Sequence, residues 1–212
     1  MKKIILPLLV ITISITSCKK VEQKAEISAD EKASNEIIAE TMPDSAAIAK
    51  AWESYATPGE AHIMLAKDTG VWDAEMSFFY PNNPEPQKAN SVAEYKMIFD
   101  GKYQEGTFKG DMWGMTFEGK GITAYDNATN EYIATWIDNM GTGMIISRGK
   151  FDKATNSITF KGTSVDPVTG KNKDIKEVIT YIDENTQKME MFDVDSEGKE
   201  FKNMEILSKR RN

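Results

Sequence analysis

Residues 70–80 read GVWDAEMSFFY, and apolar and polar side chains alternate along this stretch. One face carries Trp72, Ala74, Met76, Phe78 and Tyr80, whereas Asp73, Glu75 and Ser77 lie on the other. Successive side chains of a β-strand point to opposite faces, so a period of two predicts a strand that is buried on one face and exposed on the other. Phe79 is the departure from this pattern.

The same alternation of apolar and polar residues continues along the chain, and similar turn sequences separate the alternating stretches. Shared apolar faces are predicted for Ala93, Tyr95, Met97 and Phe99, and for Trp113, Met115, Phe117 and Tyr125 on one long strand. The turns are DNATN at 126–130, DKATN at 152–156 and DPVTG at 166–170. In each turn the aspartate accepts backbone N–H bonds and the closing Asn or Gly tolerates positive φ. This arrangement is typical of a meander of hairpins.

About ten strands are predicted between Val71 and Leu207, without a helical pattern between them. An open sheet of that size would expose two long edges, and closure removes them. We therefore predict an all-β fold with short N-terminal helices, in which residues 44–212 form an antiparallel up-and-down β-barrel of lipocalin type. A two-sheet sandwich is the alternative. A barrel of this size either fills its interior with side chains or holds one small ligand.

Two helices are predicted before the first strand. Ile48, Ala51, Trp52 and Tyr55 follow the spacing of one helical face. Thr57 is predicted to cap the second helix, with Pro58 at its first position, and this helix continues through His62 and Leu65 to near Gly70. The helices are expected to lie at one end of the barrel.

The N-terminus has the pattern of an export signal. Lys2 and Lys3 precede an apolar run from Ile4 to Ile15, which is too short to span a bilayer. Ile15-Thr16-Ser17-Cys18 resembles the lipobox of bacterial lipoproteins, which implies a signal peptide over 1–17 and lipidation of Cys18. Residues 18–43 lack aromatic side chains and are predicted to form a flexible tether. An ordinary secreted protein with an incidental cysteine is the alternative.

Composition limits the partners. Cys18 is the single cysteine, so no disulfide is expected. Removal of residues 1–17 leaves 24 Lys and Arg against 33 Asp and Glu, and an acidic domain repels nucleic acid. The expected partner is a membrane, reached through the lipid anchor. The predicted location is the bacterial cell envelope, on the periplasmic side, and the sequence identifies no protein partner.

Several motifs together resemble a known bacterial family. They are Ala56-Thr57-Pro58-Gly59-Glu60-Ala61-His62, Gly70-Val71-Trp72, Gly114-Met115-Thr116-Phe117-Glu118-Gly119-Lys120-Gly121, Tyr125-Asp126-Asn127, and Trp136-Ile137-Asp138 with Gly141-Thr142-Gly143. In this order they resemble the domain of unknown function 1579 family, over about residues 44–192. Gly70-Val71-Trp72 also resembles the G-x-W that opens lipocalin-like barrels. The family supplies no activity.

Seven residues are candidates for a ligand site. They are His62, Trp72, Trp113, Phe117, Tyr125, Trp136 and Asp138. His62 is the single histidine and is either a packed capping side chain or a general base. Asp138 either orients a ligand or bonds the backbone of the Gly141-Thr142-Gly143 turn. No cofactor or metal is expected, since a calcium-like run at Asp193–Gly198 has Met204 where glutamate is needed.

Three functions remain open. The leading hypothesis is a membrane-tethered carrier or sensor that binds an apolar or amphipathic small molecule inside the barrel, because the predicted interior is rich in Met and aromatic side chains. The second is an enzyme with a site around His62 and Asp138 at the barrel mouth, although no nucleophile motif is present. The third is a solid barrel that acts as a scaffold for a partner protein.

Overall fold

The structure is a computed structural model that describes residues 44–81, 83–194 and 198–211. The predicted signal peptide, Cys18 and the tether up to residue 43 lie outside the described residues.

Within the described ranges the chain forms two helices and ten strands. The helices are α1 (Ser45–Ala56) and α2 (Glu60–Ala66). The strands are β1 (Gly70–Tyr80), β2 (Asn83–Ile98), β3 (Tyr103–Met112), β4 (Met115–Asp126), β5 (Glu131–Asp138), β6 (Ile145–Asp152), β7 (Ser157–Val165), β8 (Asn172–Asp183), β9 (Thr186–Val194) and β10 (Glu200–Arg210). Neither α1 nor α2 is long and apolar enough to cross a membrane, and the described ranges hold no other helix.

The ten strands form a closed antiparallel barrel. Each strand pairs with its neighbours in sequence, and β1 closes the barrel by pairing with β10. In the register, Ala74 of β1 lies opposite Ser91 of β2 on one side and Ser208 of β10 on the other. The predicted up-and-down barrel is confirmed, and the sandwich alternative is wrong.

Alternation along the strands separates the interior from the outside. Trp72, Ala74 and Met76 are buried, whereas Asp73 and Glu75 between them are exposed. Residues that lie opposite each other on paired strands point to the same face of the sheet. The residues paired with Trp72, Ala74 and Met76 therefore also face the interior, and the same holds from strand to strand around the barrel.

Inward glycines allow close approach of neighbouring strands. A Cβ atom on Gly110 of β3 would lie 2.3 Å from the Asn90 carbonyl oxygen of β2, and one on Gly162 of β7 would lie 2.4 Å from the Ile146 carbonyl oxygen of β6. Only glycine fits such positions, which let strands bend as they wrap around a small barrel.

The predicted aspartate turns are confirmed. Asp126, Asp152 and Asp166 each accept, through Oδ1, the N–H of the residue two positions later at 2.8 Å. The turns close with positive φ at Asn130, Asn156 and Gly170.

The long strand predicted through Trp113 is wrong. Trp113 and Gly114 form a two-residue turn, both at positive φ, and β4 begins at Met115. The Gly114 N–H donates to Asp111 Oδ1 at 2.8 Å. Met112 lies opposite Met115, so the inward positions change from even numbers on β3 to odd numbers on β4. Trp113 has the parity of Met115 and Phe117, and the pattern alone therefore extends the strand through it. Phe99, expected on an apolar strand face, also lies in a turn at positive φ and is 72 % exposed.

The predicted cap of α2 is also wrong. Gly59 is the N-cap residue, and the Thr57 hydroxyl donates instead to the Glu53 carbonyl of α1 at 2.6 Å. The Gly59 N–H donates to His62 Nδ1 at 3.0 Å, so the imidazole does what glutamate does in a capping box.

Candidate functional site: the barrel cavity

The barrel encloses a cavity of about 400 Å³. Most of the side chains that line it are apolar, and the lining comes from all ten strands together with Leu65 of α2. They include Met76, Phe78, Phe108, Met112, Phe117, Trp136, Ile145, Ile158, Phe160, Ile179, Met189, Met191, Met204 and Ile206. The interior is therefore hollow, and its surface is soft and aromatic.

A network of hydrogen bonds closes one end of the barrel. Asp68, after α2, is 6 % exposed and receives two amide donors. Gln104 Nε2 of β3 donates to Asp68 Oδ2 at 3.1 Å and to the Leu65 carbonyl at 2.7 Å, and Gln187 Nε2 of β9 donates to Asp68 Oδ1 at 2.5 Å. These bonds join α2 to strands on both sides of the barrel, and we call this region the closed end.

Trp72 belongs to the closed end. Its side chain is 1 % exposed, and its Nε1 donates to the Asp68 carbonyl at 2.8 Å. The Arg210 guanidinium carbon lies 4.3 Å from the Trp72 ring centroid. Arg210 also donates to the carbonyls of Thr69 at 2.7 Å and Lys67 at 2.5 Å. The G-x-W tryptophan thus ties the first and last strands to the α2 segment.

The floor of the cavity is polar. Burial raises the pKa of Asp68 to about 6, while hydrogen bonds from Gln104 and Gln187 and the charge of Arg210 act in the opposite direction. Burial also raises the pKa of Tyr95 and Tyr181, which line the cavity, so both remain neutral. The floor therefore offers phenol groups beside a carboxylate.

Glu177 lies in the wall above this floor. On β8 it is opposite Phe160 of β7 and Met191 of β9, and all three side chains line the cavity. Burial raises the pKa of its carboxyl group. In the described part of the chain no side chain forms a hydrogen bond or ion pair with Glu177, so apolar groups surround an acid that has no partner.

The other end of the barrel, which we call the mouth, carries Trp136 and Asp138. Trp136 is stacked on Phe117 with 6.3 Å between ring centroids and meets the edge of Phe108 at 5.0 Å. Its Nε1 donates to Asp138 Oδ2 at 2.7 Å, and Asp138 Oδ1 accepts the Met140 N–H at 2.9 Å. Asp138 thus orients the indole at the entrance and bonds the backbone of the following turn.

Three of the seven predicted site residues meet at the cavity: Phe117, Trp136 and Asp138. Trp72 and His62 are buried in the closed end and are not among the lining residues. Tyr125 lies beside α2 and contacts the His62 ring edge to face, with 5.8 Å between centroids. Trp113 is half-exposed in its turn at the mouth, with its ring 5.2 Å from that of Phe78.

The structure does not bring His62 and Asp138 together. Asp138 pairs with Gly119 of β4, whereas Tyr125, which contacts His62, lies six residues further along that strand. Six residues of strand extend roughly 20 Å. Burial lowers the pKa of His62, and its Nδ1 already accepts the Gly59 N–H. His62 therefore has the contacts of a helix cap, and the shared site proposed for an enzyme is not formed.

The sequence prediction omitted most of the polar groups of the cavity: Asp68, Tyr95, Gln104, Glu177, Tyr181 and Gln187. One of them had a visible signal. Ile175, Glu177, Ile179 and Tyr181 share one face of β8, so Glu177 is a carboxylate on an otherwise apolar strand face. The contact between Asp68 and Gln187 had no signal in the sequence, because 119 residues separate them along the chain.

The described residues contain no group of three or more His, Cys, Asp or Glu side chains that could hold a metal ion. The calcium-like run begins at Asp193, whose carboxylate pairs with Lys173. Residues 195–197 of that run lie outside the described residues.

A family match accompanies this geometry. The model described as "Protein of unknown function (DUF1579)" matches residues 57–210, which is most of the chain and includes every strand of the barrel. The chain belongs to the DUF1579 family. The match confirms the resemblance seen in the sequence motifs and carries no activity with it.

One solved structure supports the fold of this DUF1579 barrel. The crystal structure of Rv2717c from M. tuberculosis matches with a TM-score of 0.53 at 12 % identity, covering 74 % of this chain and 100 % of that chain. A redesigned β barrel matches with a TM-score of 0.36 at 14 % identity, covering 70 % of this chain and 95 % of that one. Among curated proteins there is no match. At such identities the likeness to Rv2717c shows a shared barrel fold only.

Proposed function

We propose that this protein is a lipid-anchored envelope protein that binds an apolar or amphipathic small molecule inside its barrel, as a carrier or sensor. The observation that carries the proposal is the cavity of about 400 Å³, which falls within the usual range for small-molecule sites. Its lining is mostly apolar, with a few polar groups at defined positions, as ligand pockets generally are.

The arrangement of these groups supports an amphipathic ligand. Tyr95 and Tyr181 place neutral donors at the floor, and Trp136 and Met140 line the cavity near the mouth. A scaffold built on a filled barrel is less well supported, because close-packed interiors leave few voids larger than a water molecule and this interior is hollow.

A cavity-filling variant tests binding directly. The probe is N-phenyl-1-naphthylamine, a neutral dye whose fluorescence rises in apolar surroundings, added to the full chain with Cys18→Ser so that no detergent is needed. Ala134 of β5 lines the cavity, and Ala134→Phe should reduce probe binding at least about tenfold by occupying the space.

The matched control for this test is Ala124→Phe. Ala124 lies on the adjacent strand β4. The side chains of its neighbours Thr123 and Tyr125 point into the barrel, so the ring added at position 124 points outward. The control should bind the probe as the parent does. Equal binding by both variants, with unchanged circular dichroism, would show that the dye does not enter the barrel and would overturn the proposal.

The anchor is tested separately. Cys18 should be the first residue of the mature chain and carry acyl groups, which intact-mass measurement of protein extracted from bacterial membranes would detect. Cys18→Ala should move the protein from the membrane fraction to the soluble fraction, since one or two acyl chains provide the anchoring. A mature wild-type chain that begins elsewhere, or lacks the acyl mass, would contradict the anchor.

A further inference from the structure

The charges inside the cavity all have one sign. Three carboxyl groups line it, those of Asp68, Asp138 and Glu177. Among the described residues that line it there is no Lys, Arg or His. An anionic head group would therefore meet no cation inside this barrel.

Neighbouring cations are held elsewhere. Lys173, on β8, pairs with Asp193 of β9, and Lys176 pairs with Glu200 while lying 4.5 Å from the centroid of the Phe192 ring. Arg210 lies over the Trp72 ring and bonds the carbonyls of the α2 segment. None of these side chains lines the cavity, so none would contact an anionic group of a ligand bound there.

The three acids differ in what they already bind. Both oxygens of Asp138 accept N–H groups, and both oxygens of Asp68 accept glutamine amides. Glu177 has no such partner within the described residues. Glu177 faces the cavity with its carboxylate oxygens free to accept, so an incoming cation with donor hydrogens would gain most there.

The aromatic lining adds to this preference. Phe160 lies opposite Glu177 in the register, and Phe108, Phe117 and Trp136 line the cavity towards the mouth. The face of an aromatic ring attracts a cation, more strongly where water is excluded. Carboxylate and rings therefore favour the same kind of head group.

We propose that the cavity selects a lipophilic cation, an apolar molecule whose amine or other N–H-bearing cationic group sits against Glu177. This inference rests on the proposed function and specifies its ligand class. Neutral amphiphiles of similar size bind more weakly. Anionic ones, such as fatty acids, bind least, because Glu177, Asp68 and Asp138 repel them and no Lys, Arg or His among the described residues lines the cavity.

A matched ligand series tests this preference. Decylamine, decan-1-ol and decanoate share one chain length and carry positive, zero and negative charge at pH 7.5. Each is used to displace N-phenyl-1-naphthylamine from the full chain with Cys18→Ser. Decylamine should displace the dye at a concentration at least about tenfold lower than decanoate, with decan-1-ol between them.

Glu177→Gln assigns the preference to one side chain. This variant keeps the shape and removes the charge, so decylamine affinity should fall about tenfold while decan-1-ol affinity stays within about twofold. The matched control is Glu94→Gln, which makes the same charge change at an exposed position on β2. It should leave all three affinities unchanged.

The outcomes separate the two proposals. If neither the dye nor decan-1-ol binds, the binding function itself fails and the selectivity fails with it. If both bind and decylamine shows no advantage over decanoate, the cation proposal is overturned while binding stands. An advantage that Glu177→Gln leaves intact also overturns it, since Glu177 would then not hold the cation.

Discussion

The closed end and the Glu177 wall of the same barrel treat their polar groups in opposite ways. At the closed end the Asp68 carboxylate receives amide donors from Gln104 and Gln187, and the Trp72 indole donates to the Asp68 carbonyl. In the wall, Glu177 stands between Phe160 and Met191 without a partner in the described chain.

The difference separates stability from binding. Buried polar groups that are satisfied hold a fold together, whereas a carboxylate that faces a cavity without a partner is free to bind a ligand. The closed end thus has the contacts of a structural plug, and the wall has those of a site. Substitutions at the closed end should therefore mainly change the free energy of unfolding, and substitutions in the wall should mainly change ligand binding.

The largest effect is expected from Trp72→Ala. The substitution removes a fully buried ring, its bond to the Asp68 carbonyl and its contact with Arg210, so the free energy of unfolding should fall by about 3 to 5 kcal/mol. Trp113→Ala, in the exposed turn, should cost less than about 1 kcal/mol. Urea unfolding checks both, and equal losses would contradict a structural closed end.

The next effect concerns the pH dependence of stability at Asp68. Its pKa is raised from 3.8 to about 6 in the folded chain, so its contribution is fully present below pH 3.8 and is lost as the pH rises through about 6. Relative to Asp68→Asn, wild-type stability should fall by on the order of 3 kcal/mol between pH 4 and pH 7.

Carbon-13 NMR of the side-chain carboxyl groups would measure the Asp68 midpoint directly. A midpoint near 4, or a stability difference that does not change with pH, would refute the effect of burial on Asp68.

A smaller effect of opposite sign is expected at the wall. Glu177→Leu removes an acid without a partner, so the empty barrel should gain about 1 to 2 kcal/mol of stability while binding of decylamine is lost. Glu94→Leu, at an exposed position, is the matched control and should change stability by less than about 0.5 kcal/mol. A strongly destabilised Glu177→Leu barrel would show that Glu177 has a structural role.

The smallest effect is expected from His62→Gln. Glutamine retains an acceptor for the Gly59 N–H, so unfolding free energy should change by less than about 1 kcal/mol, and dye binding should stay within about twofold. His62→Ala lacks the acceptor and should cost about 1 kcal/mol more. A loss of ligand binding in His62→Gln would contradict the assignment of His62 to the helix cap.

The sequence by itself determined the approximate number of strands and their alternation, the aspartate turns and the family, because these depend on neighbouring residues. The pleat of a strand makes buried and exposed side chains alternate at 70–80. In the turn at 126–130, the Asp126 carboxylate accepts the backbone N–H of the residue two positions later. Glu177 was already visible as an acid on an apolar face.

Only the tertiary structure decided what these local features do together. The register brings Asp68 to Gln187, separates His62 from Asp138 by most of a strand, and leaves Glu177 facing a hollow interior. Whether a barrel is filled depends on how its inward side chains meet across the axis, and no pattern along one strand contains that information.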